Sequence, residues 1–379
     1  MKLILHFCYG DLALERFVSP ICSIHNSGYL IYAQNISIPS SPSLHIRKLP
    51  YFVKLKLSSL ADLPFVLPTI IYILWLLIAL RPNVVISHMT LNSPIVLFCS
   101  YIMRTPKRIY FNHGFSFLGY ESIIRVFLLI EEFLNFAFST QVICVSPTQA
   151  KIVSQLKLLP KVNILPTIPG SCAGLSSNLY ISLSRLQEKQ DDVLERNNPL
   201  NVVYIGRPVK RKGFSLVLET IKIIEMFYST CLSPNIFFEF TFIGISEDDF
   251  ERSNSKCLLN LQSSSISCIS YAGNIFDYLE PSSVMFLPSF HEGFGYAYLE
   301  AASQGNCLVG FDIPGPDSIL LNSVNGYALP LASSPSDFAN ALIKLNSNRH
   351  ILSLFMKNSY LKSLQFERSS VLSSISGIL

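Results

Sequence analysis

Charge is scarce in this 379-residue chain: 14% of it is Asp, Glu, Lys or Arg, half is hydrophobic, and mean hydropathy is +0.40. That balance excludes an extended disordered chain, which needs low hydrophobicity and high net charge. No Cys-x-x-Cys pair occurs, and the nine cysteines are scattered and odd in number. They give neither a disulfide framework nor a zinc site, and they suit a reducing compartment. An Asp-x-Asp triplet is missing as well. A secretory signal is not expected, because the apolar run after Lys2 stops at Asp11 and reads as a buried strand.

What charge there is lies unevenly. Residues 1–167 carry 14 Lys/Arg against 6 Asp/Glu, and residues 168–379 carry 15 against 19. The first half is basic and the second mildly acidic. The length suits two domains, each able to bury its own core. Leu63 to Leu80 runs without a charge but holds Pro64 and Pro68, so the uninterrupted part falls short of a usual membrane span and reads as a buried or interfacial helix. Just before it, Arg47 to Leu60 interleaves Arg47, Lys48, Lys54 and Lys56 with Tyr51, Phe52 and Val53. Such a mixture suits an anionic bilayer surface, or equally a solvated face with anchoring aromatics.

Strand and helix patterns alternate along both halves, which implies α/β folding on parallel sheets, two doubly wound Rossmann-like domains in all. In the first half, strands end at Gly10, His88 and Asn112-His113-Gly114, the edge at which such sheets bind ligands. The predicted domains are 1–167 and 200–365. A Gly/Ser/Asn-rich and then charged stretch over 168–199 reads as the linker, and the tail 366–379 is expected to run back to the first half.

Two stretches of the second half carry chemistry. Val284 to Leu287 feeds Pro288-Ser289-Phe290-His291-Glu292-Gly293-Phe294-Gly295, and an Ala/Leu-rich segment closes at Gly305, which reads strand, tight loop, helix. Glu292 and Glu300 would stand roughly 12 Å apart along a helix, comparable to the reach of a nucleotide sugar from hexose to ribose. The helix N-terminus between them is suited to a diphosphate. Earlier, Tyr204-Ile205-Gly206-Arg207-Pro208-Val209-Lys210-Arg211-Lys212-Gly213 sets Arg207 and Lys212 on a loop between strand and helix. The arginine fork and the mobile lysine charge together suit a diphosphate.

These residues, with Glu300-Ala301, Gly305, Pro314-Gly315 and Asn325-Gly326, resemble the donor domain of GT-B-fold retaining glycosyltransferases of family 4, over most of residues 200–365. The first half resembles that family more weakly, in Asn112-His113-Gly114, Glu131-Glu132 and Gly170-Ser171-Cys172-Ala173-Gly174, which are similar to the branch that builds bacterial capsule, O-antigen and lipopolysaccharide. It departs in its first loop, where Gly10 stands alone and many members have paired glycines.

The resemblance implies domains facing across a cleft, with a nucleotide sugar, a UDP-sugar by default, between them. Arg207, Lys212 and the backbone of Gly293, Phe294 and Gly295 would hold the diphosphate, and Glu300 the ribose. Glu292 and His113 would meet the transferred hexose as catalytic residues. Neither cofactor nor metal is expected, and no nucleic-acid partner. The acceptor implied is a lipid-linked saccharide, reached by a cytoplasmic enzyme bound peripherally to the inner leaflet of the cytoplasmic membrane. A hydrolase or epimerase of nucleotide sugars on the same fold, or a catalytically silent partner subunit, are the alternatives.

Overall fold

The computed structural model describes residues 3–24, 28–36, 45–56, 60–157, 159–160, 162–166, 173–195, 198–228, 237–252 and 261–376. The chain divides into two compact units, Met1–Gly174 with Arg368–Leu379, and Leu175–Glu367.

The first unit is built on parallel strands β1 (Ile4–Tyr9), β2 (Tyr29–Gln34), β3 (Ile46–Lys48), β4 (Val84–His88), β5 (Lys107–Asn112), β6 (Gln141–Cys144) and β7 (Asn163–Pro166), in the order β3-β2-β1-β4-β5-β6-β7. The central strands are near-continuous apolar runs because helices cover both faces of the sheet. Helices α1 (Val66–Leu80), α2 (Ser93–Ile102) and α3 (Ser122–Phe138) lie side by side, α2 packing against both of its neighbours. Helix α4 (Pro147–Gln155) starts at Ser146, whose hydroxyl accepts from the Gln149 N–H as an N-cap.

Ala61–Leu80 is long and apolar enough to cross a membrane by length and composition. One flank of α1 is nevertheless core: Ile73, Leu76 and Leu77 pack with Leu5, Phe7 and Val85 of the sheet. The basic and aromatic stretch ahead of it is partly core too. Val53 and Leu55 are buried, Lys54 lies 3.9 Å from Asp62, and Lys56 sits over the Tyr9 ring.

The second unit repeats the plan with β8 (Leu200–Ile205), β9 (Phe238–Ile243), β10 (Ser264–Ile269), β11 (Val284–Leu287), β12 (Cys307–Phe311) and β13 (Gly326–Leu329), all parallel, ordered β10-β9-β8-β11-β12-β13. The order of strands reverses direction between β1 and β4 in the first sheet and between β8 and β11 in the second, and at such a switch point the diverging connections leave a crevice at the strands' carboxyl ends.

The expected linker over 168–199 differs from what is found. Residues 167–172 lie outside the described residues, but from Leu175 the chain belongs to the second unit. There α5 (Leu183–Leu194) is a packed helix. Its Lys189 is buried and donates to the carbonyls of Gln304, at 2.7 Å, and Leu279, and to Asn306 Oδ1. The charged sequence there reflects a helix with one inward face, not a connector. At the other end the crossing comes at Arg368, and the helix Arg368–Ser376 packs within the first unit against Ser19–Cys22.

Candidate active site

In the second unit two loops leave the sheet on either side of the switch point. The first follows β8. The Gly206 N–H donates to Ile243 O at 2.9 Å, and the Tyr204 hydroxyl lies 3.2 Å from Arg207 O and 3.3 Å from Lys212 O, so the basic loop folds back over its own strand. A single turn, Lys210–Lys212, ends at Gly213, whose φ of 69° is left-handed. A side chain there would be strained by conformation and would overlap the Pro288 carbonyl. Helix α6 (Phe214–Tyr228) follows.

The second loop follows β11 and is tied to the first. The Phe290 N–H donates to Arg211 O at 3.0 Å. This contact brings residues 80 positions apart together: Lys212 Nζ lies 2.6 Å from Glu292 Oε1, in a pair whose side chains are 21% and 13% exposed. A cation and a carboxylate so far removed from solvent are held for a purpose or at a cost, because desolvation opposes both. His291 next to them is buried, and burial, followed by the nearby Arg211, pulls its pKa down to about 4, so it is a neutral imidazole at neutral pH.

Gly295, at φ 81°, opens helix α7 (Tyr296–Ser303), and no side chain caps that N-terminus. A Cβ on Gly295 would lie 3.0 Å from both Pro316 and Tyr298, which keeps the backbone bare at the start of the helix. Tyr298 anchors α7 by donating its hydroxyl to Leu287 O, and Phe294 packs on Phe366 at 5.4 Å between ring centres. The helix begins after Glu292, so Glu300 alone of the two acids stands on it. Glu300 is 4% exposed. A solvated helix position does not explain it.

Of the predicted residues, Lys212 and Glu292 thus meet directly, Gly293, Phe294 and Gly295 follow on the loop after β11, and Glu300 lies within the helix which that loop opens. Arg207 is exposed on the same first loop.

His113 belongs to the first unit, past the end of β5. Its ring stacks on Phe17 at 4.7 Å and Phe111 at 5.0 Å, and its Nε2 lies 3.1 Å from His88 Nδ1, while His88 Nε2 lies 3.2 Å from His6 Nδ1. Three histidines form a chain across strands β1, β4 and β5. Burial lowers His88 well below the ordinary histidine range, with His113 and His6 adding to it, and brings His113 down to about 3. Charge is thereby disfavoured on both His88 and His113. Each link then needs one nitrogen as donor and one as acceptor, so the tautomers of His88 and His113 are tied together.

On the opposite face of the same strands, Glu132 of α3 is fully buried. Its Oε1 accepts from Thr90 at 2.8 Å, from Tyr110 at 3.2 Å and from Asn112 at 3.4 Å. Burial raises its pKa to about 8, and that of Glu131 to about 7. Asn112 Oδ1 accepts from the Gly114 N–H at 2.7 Å, which fixes the turn that carries His113.

His6 and Thr90 were not legible as members of these networks. The available signal was a histidine inside an otherwise apolar strand, at even spacing with the face that carries His88 once β1 pairs with β4. Among the described residues no cluster of three or more His, Cys, Asp or Glu side chains is placed to hold a metal ion.

Residues 199–348 match the family described as glycosyl transferases group 1. A curated relative, the capsular polysaccharide biosynthesis glycosyltransferase CapM of Staphylococcus aureus, is 23% identical over 250 residues, which is 65% of this chain and 63% of that protein. Among solved structures, Alr3699/HepE of Anabaena in complex with UDP and glucose superposes with a TM-score of 0.70 at 15% identity, over 100% of this chain and 99% of that one. The sucrose-phosphate synthase of Thermosynechococcus elongatus gives 0.73 at 13% identity, over 100% and 98%. WaaG, a glycosyltransferase involved in lipopolysaccharide biosynthesis, gives 0.71 at 12% identity, over 99% of both chains. The fold is that of GT-B glycosyltransferases, two parallel-sheet α/β domains. The family match lies within the second unit.

Proposed function

We propose that the chain is a glycosyltransferase that moves a hexose or hexose derivative from a nucleotide sugar, a UDP-sugar by preference, onto a growing lipid-linked polysaccharide of the cell surface. The linkage forms with retention, as in family 4, and the product belongs to capsule, O-antigen or lipopolysaccharide. The enzyme works in the cytoplasm, bound peripherally to the inner leaflet. The observation that carries the donor reading is the Lys212–Glu292 pair beside an uncapped helix N-terminus. The complex of the Anabaena relative with UDP and the capsular role of CapM support the choice of nucleotide and product.

In this reading the diphosphate takes over the Lys212 ammonium, with Arg207 closing on it from solvent and the N–H groups of Gly293 to Tyr296 meeting its oxygens. Glu292, relieved of its lysine, turns to hydroxyls of the hexose. Glu300 accepts hydrogen bonds from the ribose. Charge grows on the leaving diphosphate as the glycosidic bond breaks, and cations already in place stabilise it without reorganisation. The reaction asks for no cofactor and no metal.

Thermal-shift screening of the whole chain against UDP-, GDP-, ADP- and dTDP-sugars tests the proposal. Stabilisation by UDP-sugars, with activity unchanged by EDTA, agrees with it. Consumption of donor without any acceptor, or release of an isomerised sugar, would replace it with a hydrolase or an epimerase.

A further inference from the structure

Helices α1 and α3 are apolar on their solvent sides as well as their core sides. On α1, Leu67, Ile71 and Trp75 recur every fourth residue on the outward flank, 65%, 58% and 60% exposed. On α3, Phe127, Ile130 and Phe133 do the same at three-residue spacing, with Phe127 63% exposed. Because α2 packs between the two on one face of the sheet, these flanks share one outer surface, and Tyr101 and Ile102, both exposed, continue it at the end of α2. The hydrophobic effect alone would bury such side chains, so a surface built of them has an occupant.

Charge identifies the occupant. From Leu63 to Tyr120 the chain has no acidic residue, yet it holds Arg81, Arg104, Lys107 and Arg108. Arg81 caps α1, Arg104 follows α2, and Lys107 and Arg108 open β5. All four therefore gather at the edge of the sheet where the strands begin, next to the apolar flanks. Of the acids on α3, Glu132 is fully buried and Glu131 is held partly buried with its pKa raised. Apolar and aromatic side chains bordered by cations, with the acids within α3 turned inward, match a bilayer whose headgroups are anionic.

We infer that the outer surface of α1, α2 and α3 is a docking face for an anionic lipid bilayer, with the apolar side chains entering the headgroup boundary and the arginine edge binding lipid phosphates. The spanning alternative does not apply to α1, since Ile73, Leu76 and Leu77 would have to leave the core. The inference assigns a place to the membrane association proposed above, but it stands apart from the donor site, because no residue of the second unit takes part.

Trp75 is the single tryptophan of the chain and stands on this face, so its emission reports on the face alone. The full-length protein is titrated with phosphatidylcholine vesicles with and without phosphatidylglycerol, in the absence of nucleotide. Expected are a blue shift of Trp75 emission and quenching by brominated lipids with the anionic vesicles, both weakened by salt. Arg81→Gln with Arg104→Gln is expected to lower affinity roughly fivefold per residue, and Phe127→Ser with Ile130→Ser to abolish the shift while the thermal transition is kept. Equal binding to neutral vesicles, binding that leaves Trp75 unshifted, or a shift that depends on protein concentration without lipid would each overturn the inference. The last would make the face a contact between copies of the chain. Donor binding is unaffected by any of these results, and loss of donor binding leaves this test unchanged.

Discussion

Replacing Lys212 by alanine separates what the Lys212–Glu292 pair does for stability from what it does for the reaction. The pair is 2.6 Å long and partly buried. Its contribution to stability should lie between the ~0.5 kcal/mol of exposed pairs and the ~3–5 kcal/mol lost when a fully buried pair is broken. About 1–2 kcal/mol is the middle of that range, and a domain of this size loses ~2–4 °C of Tm for each kcal/mol. The variant should therefore remain folded at room temperature. Removing a preplaced positive group from a developing phosphate charge costs about 10²–10³ in rate, or ~2.7–4 kcal/mol. The functional loss is predicted to exceed the structural one. Calorimetric melting with and without UDP, beside transfer assays, reads both. Wild type should gain about 2.7 kcal/mol of stability from UDP at a hundred times its Kd, and Lys212→Ala should gain far less. An undiminished UDP shift in the variant, with transfer near the wild-type rate, would refute the reasoning.

Other substitutions test neighbouring parts of the account. Gly213→Ala should destabilise by about 2 kcal/mol or more, from a left-handed backbone and an overlap with Pro288 O, and should misplace Lys212; urea unfolding and UDP titration measure the two effects. Lys189→Met removes the donor to Gln304 O, Leu279 O and Asn306 Oδ1, and should cost about 3–5 kcal/mol by the same unfolding measurement. Glu132 has a pKa raised to about 8 from 4.5 by burial, so the native state holds its proton where the unfolded state has lost it. Its contribution is complete below pH 4.5 and declines as pH rises through 8. Glu132→Gln keeps an acceptor for Thr90 and Tyr110, and should flatten the pH dependence of stability over that window, measured by denaturant midpoints from pH 5 to 9.

The two loops that carry the donor-side candidates were legible because they are local. A buried strand, a glycine-bearing loop and a short helix occupy one stretch from Val284 to Gly305, and the basic loop after β8 repeats the arrangement. Pairing of Lys212 with Glu292 adds only that the two loops meet, which the Phe290–Arg211 hydrogen bond decides. The charged stretch before β8 was misread for a physical reason. Helix α5 is mostly polar, and its inward face of Leu186, Lys189, Gln190 and Val193 holds a lysine whose acceptors come from residues more than eighty positions away. The histidine chain was hidden in the same way, since His6, His88 and His113 meet only when β1, β4 and β5 pair. Nor does sequence distinguish the outer flank of α3 from its core flank, because both are apolar; exposure of Phe127 and Phe133 emerges from packing.

Glu300 offers the most direct test of the donor site, because its assigned role is specific to one part of the ligand. Calorimetric titration should show UDP binding the wild-type chain about ten to a hundred times more tightly than 2′-deoxy-UDP, the range expected for a hydrogen bond to a charged group. In Glu300→Gln that preference should shrink severalfold or more while 2′-deoxy-UDP binds as before. Equal affinity of the wild type for both nucleotides, or an unchanged preference in the variant, would contradict the placement of a nucleotide sugar between Lys212 and Glu300.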